Sequence, residues 1–260
     1  MSLAPVLFIS HGAPTFALEP GVLGPNLQRL GAQLEGIRAV LVVSPHWQAP
    51  GLRVMTAEKP ATLHDFGGFP EPLYRLQYPA PGAPEVARET AAVLRDAGLQ
   101  VDEDPTRPYD HGAWVPLRFL LPAADVPVFQ LAMPAALDTQ GALALGKALR
   151  PLRERGVLVV GSGSLTHNLY EIQRTSDSVP YAAAFAAWTT EAVLARDEQA
   201  LVDYRRVAPA AERAHPTQEH YLPLLVAMGA STEDDVPALI PGGMTYGVLS
   251  MDSYAWGVAS

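Results

Sequence analysis

Seven histidines stand in a chain of 260 residues that has no cysteine. Any transition-metal chemistry must therefore run through imidazole with carboxylate support. Three of the seven share a placement. His11 follows the apolar run Val6-Leu7-Phe8-Ile9, His46 follows Ala39-Val40-Leu41-Val42-Val43, and His167 leaves Val157-Leu158-Val159-Val160 on the loop Gly161-Ser162-Gly163-Ser164-Leu165-Thr166. Short unbroken apolar runs of strand formers read as strands buried on both faces, as in a parallel sheet. In an open α/β sheet, ligands bind outside the carboxyl ends of such strands. The pattern gathers three imidazoles on one sheet edge and points to a metal of the Zn, Fe or Ni kind rather than Mg or Ca. A single loop histidine needs no more than an ordinary hydrogen bond; the shared placement carries the argument.

The elements that must position these side chains alternate along the chain. Leu23 to Gly36, with Leu27, Leu30 and Leu34 at helical spacing, joins the first two runs. Strand, helix, strand in that order implies a right-handed crossover with parallel strands, adjacent or nearly so. Further on, the spacing predicts a weak strand over Leu52–Thr56, a helix over Glu85–Ala97 behind Pro84 and a short strand at Leu99–Val101. The acidic loop Asp102 to Asp110 then delivers Asp110-His111-Gly112-Ala113-Trp114 to a helical Val115–Leu121, followed by a strand at Val126–Leu131. Helices over Thr139–Arg155, Tyr181–Asp203 and Tyr221–Met228 follow, the last with Pro223 near its start, and Gly247–Met251 reads as the last strand. The fold class is α/β, a single catalytic domain over residues 1–260 with a mostly parallel central sheet flanked by helices and the site at the strands' carboxyl ends.

A net charge of −9, with Lys59 and Lys147 as the only lysines and the arginines scattered, excludes a nucleic-acid partner. No apolar run approaches membrane-spanning length, no signal peptide is read at the start, and the absence of disulfides fits a cytoplasmic location. Gly161-Ser162-Gly163 hints at a phosphate loop, but Thr166 stands where a dinucleotide fingerprint needs glycine. Trp47 and Trp114 beside histidines suit an aromatic pocket or simply core. Asp65 and Asp110 are candidates to orient imidazoles or to form turns and caps, and for Asp65 the turn is preferred.

With these residues laid out, the chain resembles the class III extradiol ring-cleavage dioxygenases, in the branch similar to 4,5-DOPA extradiol dioxygenase. The likeness runs through Phe8-Ile9-Ser10-His11-Gly12, Ser44-Pro45-His46-Trp47, His64-Asp65-Phe66-Gly67-Gly68-Phe69-Pro70, Tyr78-Pro79-Ala80-Pro81-Gly82, Asp110-His111-Gly112-Ala113-Trp114, Thr166-His167-Asn168-Leu169 and Pro216-Thr217-Gln218-Glu219-His220-Tyr221-Leu222-Pro223-Leu224-Leu225. The resemblance implies a mononuclear metal held by His11, His46 and His220, with His167 moving protons or approaching as a fourth ligand. Glu219 is the fallback ligand, since non-heme iron oxygenases commonly use two histidines and a carboxylate. It implies His111 as a second catalytic, substrate-contacting histidine, with His64, Phe66 and Trp114 also placed against the substrate. Fe(II) is the metal expected for activity, and three neutral imidazoles also suit Zn(II). The implied partners are a small catechol, DOPA-like, and O2, and a homo-oligomer is compatible with the sequence. Two other readings use the same residues: a zinc-dependent, amidase-like hydrolase with Glu219 or His167 as base, and a non-catalytic metal-binding protein.

Overall fold

The apolar runs that precede His11, His46 and His167 become the middle of one eight-stranded sheet in a computed structural model that describes residues 3–173 and 177–258. Its strands come from β1 (Val6–Ser10), β2 (Ala39–Ala49), β3 (Leu52–Met55), β4 (Val101–Asp104), β5 (Val128–Pro134), β6 (Val157–Gly163), β7 (Pro237–Ile240) and β10 (Ser253–Trp256), while β8 (Met244–Thr245) and β9 (Leu249–Ser250) form a separate small hairpin. The order across the sheet is β4-β3-β5-β2-β6-β1-β10-β7. β5, β2, β6 and β1 run parallel. β10 and β7 complete one side in antiparallel fashion, and β3 meets β5 antiparallel on the other. The mostly parallel sheet expected from the sequence is present.

The first two runs are not neighbours, because β6 lies between β1 and β2. The registers put Phe8, Gly161 and Val43 at one level across the three strands. His11 and His46 each follow that level by three residues in sequence, on strands two places apart. Two strand spacings are about 10 Å, a gap that two imidazoles can bridge only if the strand between them ends in small residues. β6 ends in Gly161-Ser162-Gly163, and Ser164 comes next.

Helices cover both faces. They are α1 (Leu23–Gly31), α2 (Pro84–Asp96), α3 (His111–Leu120), α4 (Thr139–Leu149), α5 (Pro180–Leu194), α6 (Glu198–Val202), α7 (Tyr204–Val207), α8 (Ala211–Ala214) and α9 (Leu222–Ala230). Alternation along β6 assigns the faces. A Cβ on Gly161 would meet the Pro223 carbonyl of α9 at 2.1 Å, whereas the neighbouring Ser162 hydroxyl reaches the Gly112 carbonyl of α3 on the other side. α9 is buried at every position between the sheet and α4, which is why its sequence is apolar all round. Among the described residues no helix is long and apolar enough to cross a membrane.

Several expected elements change shape. The strand read at Leu99–Val101 forms instead as β4, inside the stretch read as an acidic loop, because it pairs parallel with β3. The helix read from Val115 already starts at His111 behind the Asp110 cap. The helix predicted over 139–155 stops at Leu149, because Pro151 has no N–H to continue it, and a 3-10 segment carries Arg150–Arg155. The helix predicted over 181–203 breaks after Leu194. Arg196 takes a left-handed φ of 57° while its guanidinium donates to the Asp235 carbonyl at 2.7 Å, and Asp197 caps the restart as α6. In the stretch predicted as a last strand only Leu249–Ser250 pairs, and the strand that closes the sheet is β10.

A single buried cation ties these late elements to the start of the chain. Arg153, 1% exposed, donates to the Ala4 carbonyl ahead of β1 at 2.7 Å, to the Ala230 carbonyl at the end of α9 at 3.2 Å, and to both oxygens of Asp235 ahead of β7 at 2.6 and 2.8 Å. Burial opposes ionisation of Asp235, but hydrogen bonds from Arg153 and Thr232 outweigh it and hold the carboxyl below the ordinary aspartate value. Because the folded value is the lower one, the stabilisation is present above about pH 3.9 and is lost as pH falls below it. Asp235→Ala strands the guanidinium and is expected to cost about 3–5 kcal/mol in a denaturant titration at pH 7, with a flatter loss of stability below pH 4 than the parent shows.

Candidate metal centre

His11 extends the β1–β6 ladder by one residue, its N–H donating to the Gly163 carbonyl at 2.9 Å. The chain then turns away at once through Gly12, whose φ of +60° suits glycine and whose missing Cβ leaves room for the Met251 sulfur. His46 arrives differently. Pro45 cannot donate, and the β2–β5 register shifts between Val43 and Gln48, so the strand bulges where the imidazole must leave it. Ser44 fixes the bulge by donating to Asp110 Oδ1 at 2.9 Å while it accepts the His46 N–H at 3.2 Å. The two rings then meet, Nε2 to Nε2, at 3.1 Å. Two imidazole nitrogens that share one ion at about 2.1 Å each sit about 3.0–3.4 Å apart, so the pair is spaced for a common metal.

The far side of each ring shows which nitrogen is free. Ser162 spends its hydroxyl hydrogen on the Gly112 carbonyl, so it can only accept from His11 Nδ1, at 3.0 Å, and His11 Nε2 carries a bare lone pair. His220, on the turn into α9, has its Nδ1 3.0 Å from Glu219 Oε1. A carboxylate accepts, so Nδ1 is the N–H and Nε2, in a ring kept neutral by burial, is bare; that atom is buried and meets no hydrogen-bond partner among the described residues. An orphaned, buried imidazole lone pair beside two others is what a divalent cation would satisfy. The His220 ring centroid lies 5.5 Å from that of His11 and 5.1 Å from that of His46. Its depth is set by Gly163, where a Cβ would strike the His220 carbonyl at 2.3 Å.

His111 opens α3, with Asp110 as the N-cap accepting from Ala113 N at 3.2 Å. Its ring centroid is 3.9 Å from that of His46, and the donor atoms of His11, His46 and His111 lie within 4.8 Å of one another. Asp65 Oδ1 accepts from both the backbone N–H and Nδ1 of His111, each at 3.0 Å. The turn preferred for Asp65 from sequence is thus corrected. Asp65 holds an imidazole, while Asp110 is a buried junction joining Ser44, Arg107 and Gln130 to the helix cap. Phe66 stands edge-on to His111 at 5.5 Å. His64 is fastened to the Leu76 carbonyl and Trp114 to the Leu63 carbonyl, with Trp114 fully buried beside both His64 and Phe66.

His167 stacks on His220 with centroids 3.5 Å apart and planes 9° from parallel, and the donor atoms of His167, Glu219 and His220 also fall within 4.8 Å. The loop that carries it is no phosphate cradle. Its amides are occupied: Ser164 N on the His220 carbonyl, Leu165 N on Ser10 Oγ and His167 N on the Ala214 carbonyl. His215 lies apart from the cluster, caged by Phe185, Tyr204 and Tyr221 with Nε2 on the Leu165 carbonyl. Burial first, and then the proximity of other imidazoles, pushes His11, His46 and His220 well below the ordinary histidine value. Burial brings His167 down to about 4 against the pull of Glu219. These rings are neutral near pH 7, the form in which imidazole binds a metal. Sequence reasoning missed Ser162 and the role of Asp65, because neither carries a periodic signal.

A mostly parallel α/β sheet with an imidazole cluster across the carboxyl ends of its central strands defines a class of protein whose site could hold a metal ion. The match to known proteins is more specific. Residues 20–249 match the family described as the catalytic LigB subunit of aromatic ring-opening dioxygenase, and the chain belongs to that family. It is 40% identical to a 4,5-DOPA dioxygenase extradiol of Beta vulgaris over 95% of this chain and 94% of that protein. It is 36% identical to a protein of the same name from Escherichia coli K12, over 95% of this chain and 92% of that one. A crystal structure of an uncharacterized protein from Escherichia coli K12 superposes with a TM-score of 0.80 at 30% identity, covering 97% of this chain and 99% of that one. The chain is accordingly an extradiol aromatic ring-opening dioxygenase. The hydrolase alternative finds no support in these relatives.

His220→Ala is expected to weaken binding of Zn(II) by about 100-fold or more in a competitive chelator titration. His215→Phe, which keeps an aromatic ring in the cage, is expected to leave that affinity within about twofold. Gly163→Ala, which pushes the His220 backbone outward, is expected to fall between them, near tenfold.

Proposed function

We propose that the chain opens a DOPA-like catechol outside its diol with O2 at a single Fe(II) ion held by His11, His46 and His220, as one catalytic domain over residues 1–260 in the cytoplasm. The observation that carries the ligand assignment is the orphaned His220 Nε2 next to the His11–His46 pair, with Ser162 and Glu219 behind two of the three rings. Bound Fe(II) would supply Lewis acidity that lowers the catechol pKa and a redox path between ring and O2; Zn(II) fits the same nitrogens but offers no such path.

The remaining steps fall to side chains. In the neutral form of His111, with Nδ1–H donated to Asp65, Nε2 is bare and accepts a hydrogen bond from a catechol hydroxyl. Phe66, packed against His111, presents a face to the substrate ring, and His64 and Trp114 hold the loop that carries it. His167, kept neutral by burial, can take a proton from a substrate hydroxyl oxygen and return it as the ring opens.

Metal-free protein reconstituted anaerobically with Fe(II) is expected to consume O2 and form a yellow ring-opened product with at least one of a panel of catechols that includes DOPA. The Zn(II)-loaded protein and the Fe(II)-treated His46→Ala variant are expected to be inactive. Full iron occupancy with no uptake on any catechol would overturn the reading.

A further inference from the structure

We propose that Asp65 is a positioning residue that fixes the tautomer and orientation of His111, so that His111 meets the substrate as a hydrogen-bond acceptor. The inference rests on the ring-opening reading above and concerns how the substrate is recognised there. One carboxylate oxygen, Asp65 Oδ1, takes two hydrogen bonds from one residue: the His111 backbone N–H and ring Nδ1, each at 3.0 Å. The first fixes where α3 begins relative to the loop, and the second fixes how the ring is turned. Because the carboxylate only accepts, Nδ1 must carry the hydrogen. In the neutral ring that leaves Nε2 bare, and the His111 ring lies against those of His46 and His11, with centroids 3.9 and 5.5 Å away.

The loop is built to hold this contact. Leu63, two residues earlier, receives the Trp114 indole N–H at 2.8 Å, and His64 is fastened to the Leu76 carbonyl at 3.1 Å. Phe66, the next residue, closes against the His111 ring edge-on. The Asp65 side chain is 18% exposed and that of His111 is 8% exposed, so water competes little for the pair. His111 is therefore gripped between His46 on one side and Asp65 with Phe66 on the other. His11 and His220 get the same Nδ1–H arrangement from Ser162 and Glu219, which suits metal ligands. For His111 it creates an acceptor for a hydroxyl, which favours substrates that present a protonated oxygen beside the oxygen a metal would hold and disfavours an ether at that position.

The test uses Zn(II)-loaded protein labelled with ¹⁵N-histidine, with His111 signals assigned from their loss in His111→Gln. Long-range ¹H–¹⁵N spectra are expected to show His111 as the Nδ1–H tautomer in the parent and in Asp65→Asn, which keeps an accepting oxygen, and as Nε2–H or a mixture in Asp65→Ala. Zinc affinity is expected to stay within about twofold in both variants. In the Fe(II) enzyme, Asp65→Ala is expected to raise KM for the catechol about tenfold, the worth of about one hydrogen bond, with kcat reduced less and Asp65→Asn close to the parent. An unchanged His111 tautomer in Asp65→Ala, or a loss of zinc affinity in place of the KM effect, would overturn the proposal. Absence of ring opening by the parent enzyme would instead sink the functional reading while the tautomer comparison still decided the role of Asp65.

Discussion

The arrangement depends on one steric constraint: two imidazoles from strands that are not neighbours must meet above the end of the strand between them. β6 meets it by ending in Gly161-Ser162-Gly163, with Ser164 next. Its glycines admit the backbone of the His220–Pro223 turn on one face, and its serine supports His11 and receives α3 on the other. A larger residue at any of these positions would separate elements that contribute a ring. The tight packing around this strand end is therefore a requirement of the site as much as of the core.

Around that point the protein accepts a local cost. Desolvated imidazoles stand close together, and His220 Nε2 has no partner among the described residues, a combination that disfavours the fold by itself. Compensation comes from the backs of the rings, where Ser162, Asp65 and Glu219 each hold one Nδ1. It also comes from the apolar layers outside, where α9 is buried along its length. Local rules broken at the site and obeyed around it are the mark of a functional centre in a stable scaffold.

Much of this was legible in the residues. β1, β2 and β6 announce themselves as apolar runs because they are covered on both faces, and three of the site's histidines lie on the segments that leave those runs. The position of β6 between β1 and β2 was not legible, since strand order is settled by packing between distant segments. β7 and β10 were missed: each is only four residues and runs into turn residues, Pro241-Gly242-Gly243 after β7 and Gly257 after β10, which mask a strand signal. His111 and His220 sit at helix starts, where neither strand nor helix periodicity marks them, and only the resemblance to a known family pointed there. Asp65 looked like a turn former because its partner is 46 positions away along the chain.

The pairing of β1 with β10 has a kinetic meaning. Val6 lies opposite Trp256, so the first strand gains its second neighbour only when the far end of the sequence arrives. Such a ladder has very high contact order and forms slowly, after the local helices and hairpins. During synthesis His11 and His46 emerge long before His220, and β6, the strand that seats them side by side, follows well after both. A growing chain therefore presents His11 and His46 as separate histidines until β6 has been made, and the full imidazole cluster only once His220 has followed.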